Sequence, residues 1–181
     1  MYKYFMIKYT VVKNAKILFI GINPHHGSFR RGVPFSNNKT FWYLLNQSGL
    51  IKERKEDLKD DKKLKEIYKN RFSRVYKLAL LNVVNRPSRT ASELNVGEEI
   101  GGRKKILTAI KRYKPKVVCF VGKVTFQKFS GEKKVNFGWQ NDIYRSKIFV
   151  MHFPIRGEAA IRVKELKLIS HAKEICSDYC K

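Results

Sequence analysis

Acid is scarce in this chain beside base. It carries 39 Lys and Arg against 15 Asp and Glu, for a formal net charge of +24. From Ile17 through Gln47 there is no carboxylate at all, so paired-acid catalysis has no support in that segment. Cysteine is scarce too. Cys119, Cys176 and Cys180 are too few and too unevenly spaced for a four-thiolate zinc or iron–sulfur site. Cys119 lies in an apolar run and reads as a small core residue, while Cys176 and Cys180 share a helix face without a ligand signature; the odd count fits a reducing compartment. No apolar run is long enough to span a membrane, and Met1–Lys13 mixes Lys and Tyr through its apolar residues as a secretory signal does not. A soluble intracellular protein is expected, cytoplasmic and nucleoid-associated or nuclear. Glycine is thin as well: Gly21–Gly27 lacks the glycines and the Lys-Ser/Thr pair of a phosphate-binding loop. Ser28, Ser36 and Ser88 lack a nucleophile-elbow context. His25 and His26 are adjacent, so they point apart, and they have no evident third ligand; no metal is expected.

What is present points to a folded protein with a polyanionic partner. Hydrophobic residues make up 43% of the 181, with 12 Phe, 9 Tyr and 2 Trp, which argues against disorder and suits one domain over residues 1–181. A charge excess of this size destabilises the compact state by self-repulsion, and nucleic acid is its leading explanation, ahead of an acidic membrane surface.

Short apolar runs alternate with helical patterns. Lys16–Gly21 and Lys116–Gly122 read as buried strands, each closed by glycine, and Tyr76–Val84 and Tyr144–Phe153 as further extended stretches. Tyr2–Val12 reads as an edge strand or an N-terminal arm. Gly27–Asn38 reads as a loop, followed by a helix through Phe41–Leu45 capped by Asn38 or Thr40. Lys52–Asn70 is a charge run, one solvated helical segment or two with a break. A helix over Val96–Tyr113 places Ile100, Ile106, Leu107 and Ile110 on one side, and Pro115 stops it. Val124–Phe129 reads as a short helix. Ala159–Cys180 reads as a long amphipathic helix with Ile161, Leu166, Leu168, Ile169 and Ile175 toward the core. The alternation predicts an α/β three-layer sandwich with a mainly parallel central sheet. In such sheets ligands bind beyond the carboxyl ends of the strands. Three polar turns follow strands: Gly21–Gly27, Asn85–Arg89 and Phe153–Gly157. They are expected to converge on one edge.

Gly21-Ile22-Asn23-Pro24 after a strand, then Pro34-Phe35 and Phe41-Trp42, resembles the first motif of the mismatch-specific uracil/thymine DNA glycosylase family, within the uracil-DNA glycosylase superfamily. Asn85-Arg86-Pro87-Ser88 followed by Gly101-Gly102-Arg103-Lys104 is similar to that family's middle segment, and Val121-Gly122-Lys123 matches as well. The likeness runs from about Lys16 to Ile169, with a divergent insert around Lys52–Asn70. It implies a monomeric, metal-free and cofactor-free enzyme that hydrolyses the N-glycosidic bond of a base flipped out of double-stranded DNA, starting base-excision repair. Asn23 takes the role of positioning the attacking water, or is simply a turn-former before Pro24. Phe35 matches the family's aromatic that stacks on the flipped base, or is an ordinary core residue. Backbone groups at Gly21 and Ile22 meet the pyrimidine edge, and Arg86 belongs to the DNA-contacting set.

The departures matter as much. The family usually has Gly where this chain has His25, and a larger side chain there obstructs a 5-methyl group, so uracil is expected over thymine; the alternatives are a polar contact or a ring turned away. The last motif is His152-Phe153-Pro154-Ile155-Arg156-Gly157 rather than Asn-Pro-Ser-Gly. His152 stands one residue from the His-Pro element of other uracil glycosylases, where it donates to O2 of the leaving base or serves a structural role. Ile155 and Arg156 are the candidate wedge and phosphate contact, between Pro154 and Gly157. Thymine or hypoxanthine as the excised base, a non-catalytic DNA-binding module, and an enzyme acting on a small phosphorylated ligand remain as alternatives.

Overall fold

The computed structural model describes residues 7–172. Its strands are β1 (Ile17–Gly21), β2 (Leu78–Asn82), β3 (Val117–Val121), β4 (Gly138–Ile143) and β5 (Ser146–Met151). The order across the sheet is β2-β1-β3-β5-β4, with the first four in parallel and β4 antiparallel to β5. β1, β2 and β3 are buried along their whole length, as parallel strands covered on both faces must be. The α/β class and the mainly parallel sheet are as expected. β4 was not anticipated, because its alternation of half-buried and exposed residues carries polar side chains on an outer edge.

Helices flank the sheet on both sides. In chain order they are α1 (His26–Arg31), α2 (Thr40–Gln47), α3 (Lys55–Lys59), α4 (Asp61–Ile67), α5 (Glu99–Tyr113), α6 (Lys123–Ser130) and α7 (Ala159–Ser170). Because side chains alternate along β1, Ile17 and Phe19 pack with α2, α3, α4 and α7, while Leu18 and Ile20 pack with α5 and α6. Cys119 is buried in the first of these layers.

Several local expectations need correction. Gly27–Asn38 is not all loop. His25 caps α1 by accepting the Gly27 N–H on Nδ1 at 3.0 Å, and Gly32 ends it in the left-handed region. Lys52–Asn70 divides at Asp60, whose carboxylate accepts the Lys62 and Lys63 N–H groups. It is not simply a solvated face, since Leu58, Leu64 and Ile67 are buried around Trp42. Ile100 is 57% exposed at the first turn of α5, before that helix meets the sheet, and Ile161 and Leu168 face outward on α7. Residues 7–12 of the Tyr2–Val12 stretch form no strand. Cys176, Cys180, Ile175 and the end of the predicted last helix lie outside the described residues, as do residues 1–6.

Gly102 explains the Gly-Gly-Arg-Lys motif structurally. A Cβ there would lie 1.6 Å from the Val83 carbonyl oxygen, so α5 is set against the chain leaving β2 at backbone contact distance. Gly102→Ala is expected to cost about 3 kcal/mol, the upper end for overpacking, and to lower Tm by roughly 6–12 °C in a chain of this size, measured by calorimetry.

Candidate active site

The turns after β1 and β2 are joined by backbone hydrogen bonds that continue the sheet beyond its strands. Val83 N–H donates to Gly21 O at 2.9 Å, Val84 N–H to Ile22 O at 2.8 Å and Ser88 N–H to Pro24 O at 3.1 Å. A parallel bridge pairs His25 with Ser88. The turn after β5 joins them across the sheet end, and together they enclose a cavity of about 580 Å³, within the usual range of small-molecule sites. The predicted convergence of the three turns is thus observed.

Ile22, Asn23, His25, Phe35, His152, Ile155 and Arg156 all line this cavity. So do Asn82, Ser88, Lys123 and Phe137, and no described residue of the lining is Asp or Glu. Among the described residues, no three His, Cys, Asp or Glu side chains gather as a metal ion would need.

Asn23 is held from behind. Its Nδ2 donates to Ser88 Oγ at 2.7 Å and reaches the carbonyls of Pro24 at 3.3 Å and Arg86 at 3.4 Å. Ser88, 2% exposed, gives its own proton to Thr90 O at 2.6 Å, so toward Asn23 it is an acceptor. Two carbonyls and a spent hydroxyl accept only, which fixes the amide with its NH₂ group on the protein and leaves Oδ1 as an acceptor for something else.

Phe35 has φ +53°, in the left-handed region that non-glycine residues seldom occupy. It is kept there by Trp42, whose Nε1–H donates to Pro34 O at 2.9 Å, and by stacking on Phe41 at a 4.5 Å centroid distance. Gly21 does not line the cavity. A Cβ on it would fall 2.4 Å from Asn82 Oδ1 and 3.1 Å from Phe35 Cζ, so this glycine is the space in which those two side chains meet.

Asn82 was missed in the sequence. It is the polar last residue of Leu-Ala-Leu-Leu-Asn, 3% exposed, and its Nδ2 donates to the Tyr9 hydroxyl at 2.6 Å. Burial pushes that hydroxyl above its ordinary pKa and keeps it neutral. A strand ending in an amide was the available signal, since a buried amide needs partners.

The remaining predicted residues are more dispersed. His152 stacks on Phe137 at 3.5 Å and pairs through Nδ1 with Glu165 at 2.6 Å. Ile155 and Arg156 stand exposed at the rim, while Pro154 is buried beneath them. Their turn is clamped by buried Arg162 of α7, which donates to the carbonyls of Arg156 and Gly157. Arg86 lies outside the lining, with its guanidinium on Glu98 at 2.9 Å; that hydrogen bond holds the Glu98 carboxyl below its usual range.

The anchoring of Asn23 is testable without an activity. Ser88→Ala removes the acceptor that orients the amide and leaves buried donors short of partners. It is expected to cost about 1–2 kcal/mol by urea unfolding and to shift the Asn23 side-chain amide signals in ¹⁵N–¹H spectra.

A cavity at the carboxyl end of a parallel sheet, walled by amides, imidazoles and the rings of Phe35, Phe137 and Phe153 in a strongly basic protein, suits recognition of a base from a nucleic acid. The sequence matches the family model of the Uracil DNA glycosylase superfamily over residues 7–163, a span that takes in all three turns and every lining residue named above. The chain belongs to the uracil DNA glycosylase superfamily.

Proposed function

We propose that this DNA glycosylase is a monofunctional hydrolase that removes uracil from duplex DNA, G·U mismatches included, as the mismatch-specific family it resembles does. The observation that carries the reading is Asn23: an amide whose donors are all turned inward, presenting a bare acceptor to a cavity whose described lining holds no carboxylate. Such an oxygen orients water but does not deprotonate it, which suits attack on an electron-poor sugar carbon as the base departs.

The rest of the site fits that use. Flipping a base costs a few kcal/mol of lost stacking and pairing, which Phe35 offsets on one face of the base. Ile155 fills the vacated stack, and Arg156 holds the backbone of the bent duplex. The departing base anion is stabilised by hydrogen-bond donors; Asn82 lines the cavity, and the N–H of its amide that Tyr9 does not take is the donor we assign to that edge. The +24 charge supplies affinity that falls steeply with salt. His25 is pinned as the cap of α1 and lines the cavity, which supports its use as a steric filter against the 5-methyl of thymine.

An alkali-nicking assay on G·U and G·T duplexes tests the reading. Uracil is expected to be released faster than thymine, and equal rates would remove the steric role of His25. His25→Gly is expected to raise thymine release relative to uracil. Asn23→Ala should lower kcat by about 10²-fold with little change in duplex binding, the scale of a lost positioning contact. A variant as fast as the parent would reject the role given to Asn23, and tight duplex binding without release of any base would favour a binding module.

A further inference from the structure

Among the described residues no carboxylate stands in the cavity wall, yet one stands directly behind it. Glu165 of α7, with a side chain 12% exposed, accepts twice from residue 152: the backbone N–H donates to Oε2 at 3.0 Å, and ring Nδ1 lies 2.6 Å from Oε1. A carboxylate only accepts. The proton of a neutral His152 ring therefore sits on Nδ1, and Nε2 carries a bare lone pair. The ring is also fixed in plane by Phe137, stacked at 3.5 Å with an interplanar angle of 23°. The His152 side chain stays 35% exposed, and it borders the cavity that Asn23 also lines.

Building on the glycosylase reading, we propose that Glu165 and His152 form a general-base dyad, with Glu165 as the positioning residue. As the water oxygen bonds to C1′ of the sugar, the C1′–N bond breaks and its electron pair leaves with the base. One water proton passes to His152 Nε2, leaving an imidazolium beside the Glu165 carboxylate, and that proton then goes to the departed base anion. Asn23 Oδ1 accepts the hydrogen of the other water O–H bond. The resemblance implies a different role for His152, a neutral donor to O2 of the base. That role needs the proton on Nε2, and the contact with Glu165 selects the other tautomer. The charged and titratable groups around the ring are Glu165 from α7, Lys123 from α6, whose Nζ lies 4.4 Å from the Phe137 centroid, and Cys119 from β3, a thiol pushed well above its ordinary pKa by burial and by the nearby Glu165 charge.

Glu165→Gln separates the two roles. Gln Oε1 takes the backbone N–H of His152, which turns its NH₂ group toward Nδ1; the ring must then accept there and carry its proton on Nε2. Uracil release from duplex DNA is expected to fall at least about 10²-fold in kcat, the lower end for a general base, with KM within about twofold. In the parent, log kcat is expected to rise with pH along a limb that is flattened in Glu165→Gln and in His152→Phe. A Glu165→Gln enzyme as fast as the parent, or slowed only through KM, would overturn the dyad. So would ¹⁵N shifts placing the neutral ring's proton on Nε2 in the parent. If Glu165→Gln does not fold, His152→Phe, which keeps a ring against Phe137, bears the same test: parent-like kcat and pH profile would overturn the proposal. A parent that releases no uracil overturns the function itself, an outcome visible before any substitution is made.

Discussion

The site depends on the sheet's hydrogen bonding running past its strands. Once β1 and β2 end, their continuing turns remain paired through Gly21, Ile22 and Pro24 carbonyls and the Val83, Val84 and Ser88 N–H groups. Those three bonds give two loops the rigidity of a strand pair at the position where a parallel sheet leaves its ligand crevice. Asn23 and Ser88 face each other because of that register. Gly102 presses α5 against the same chain at Val83, so the far side of the turn pair is backed by a helix.

Around this frame the site is built from neutral polar groups in a cationic protein. Burial keeps the Tyr9 hydroxyl and the Cys119 thiol uncharged; Glu165 is held on His152 behind the wall, and Glu98 and Asp61 are engaged elsewhere, on Arg86 and on Arg31 and Lys39. The field at the cavity is therefore set by basic residues and by oriented amides, which favour a polyanion at the rim and developing negative charge inside. Arg162 contributes differently. Buried on α7, it donates through its two terminal nitrogens to the Arg156 and Gly157 carbonyls of the turn bearing Ile155 and Arg156, so a guanidinium acts as a backbone clamp.

The strands were legible because parallel strands covered on both faces must be apolar throughout, and Ile17–Gly21 and Val117–Val121 are. Their convergence on one edge follows from parallelism, so Asn23, His25, Phe35 and His152 fall together as expected. Elements with mixed composition were not legible. α1 is hidden by His25 acting as a cap, and β4 is a polar edge strand that spends its backbone on β5. Ile100 looks like core by spacing, but α5 has not yet reached the sheet at that turn. Asn82, Ser88 and Glu165 escaped for a common reason: each works through a partner distant in sequence. Tyr9 is 73 residues from Asn82, Asn23 65 from Ser88, and His152 13 from Glu165. No local pattern encodes such a pair.

The segment richest in charge has the least freedom in its length. Between Lys52 and Asn70 most side chains meet water, yet Leu58 and Leu64 are almost wholly enclosed, and Tyr68 and the following Phe72 lie with their ring centres 6.1 Å and 5.3 Å from that of Trp42. Trp42 in turn ties down the carbonyl before Phe35. A chain shortened here would bare a tryptophan, slacken the aromatic wall of the cavity from behind, and offer an adhesive apolar surface in the midst of the charge run.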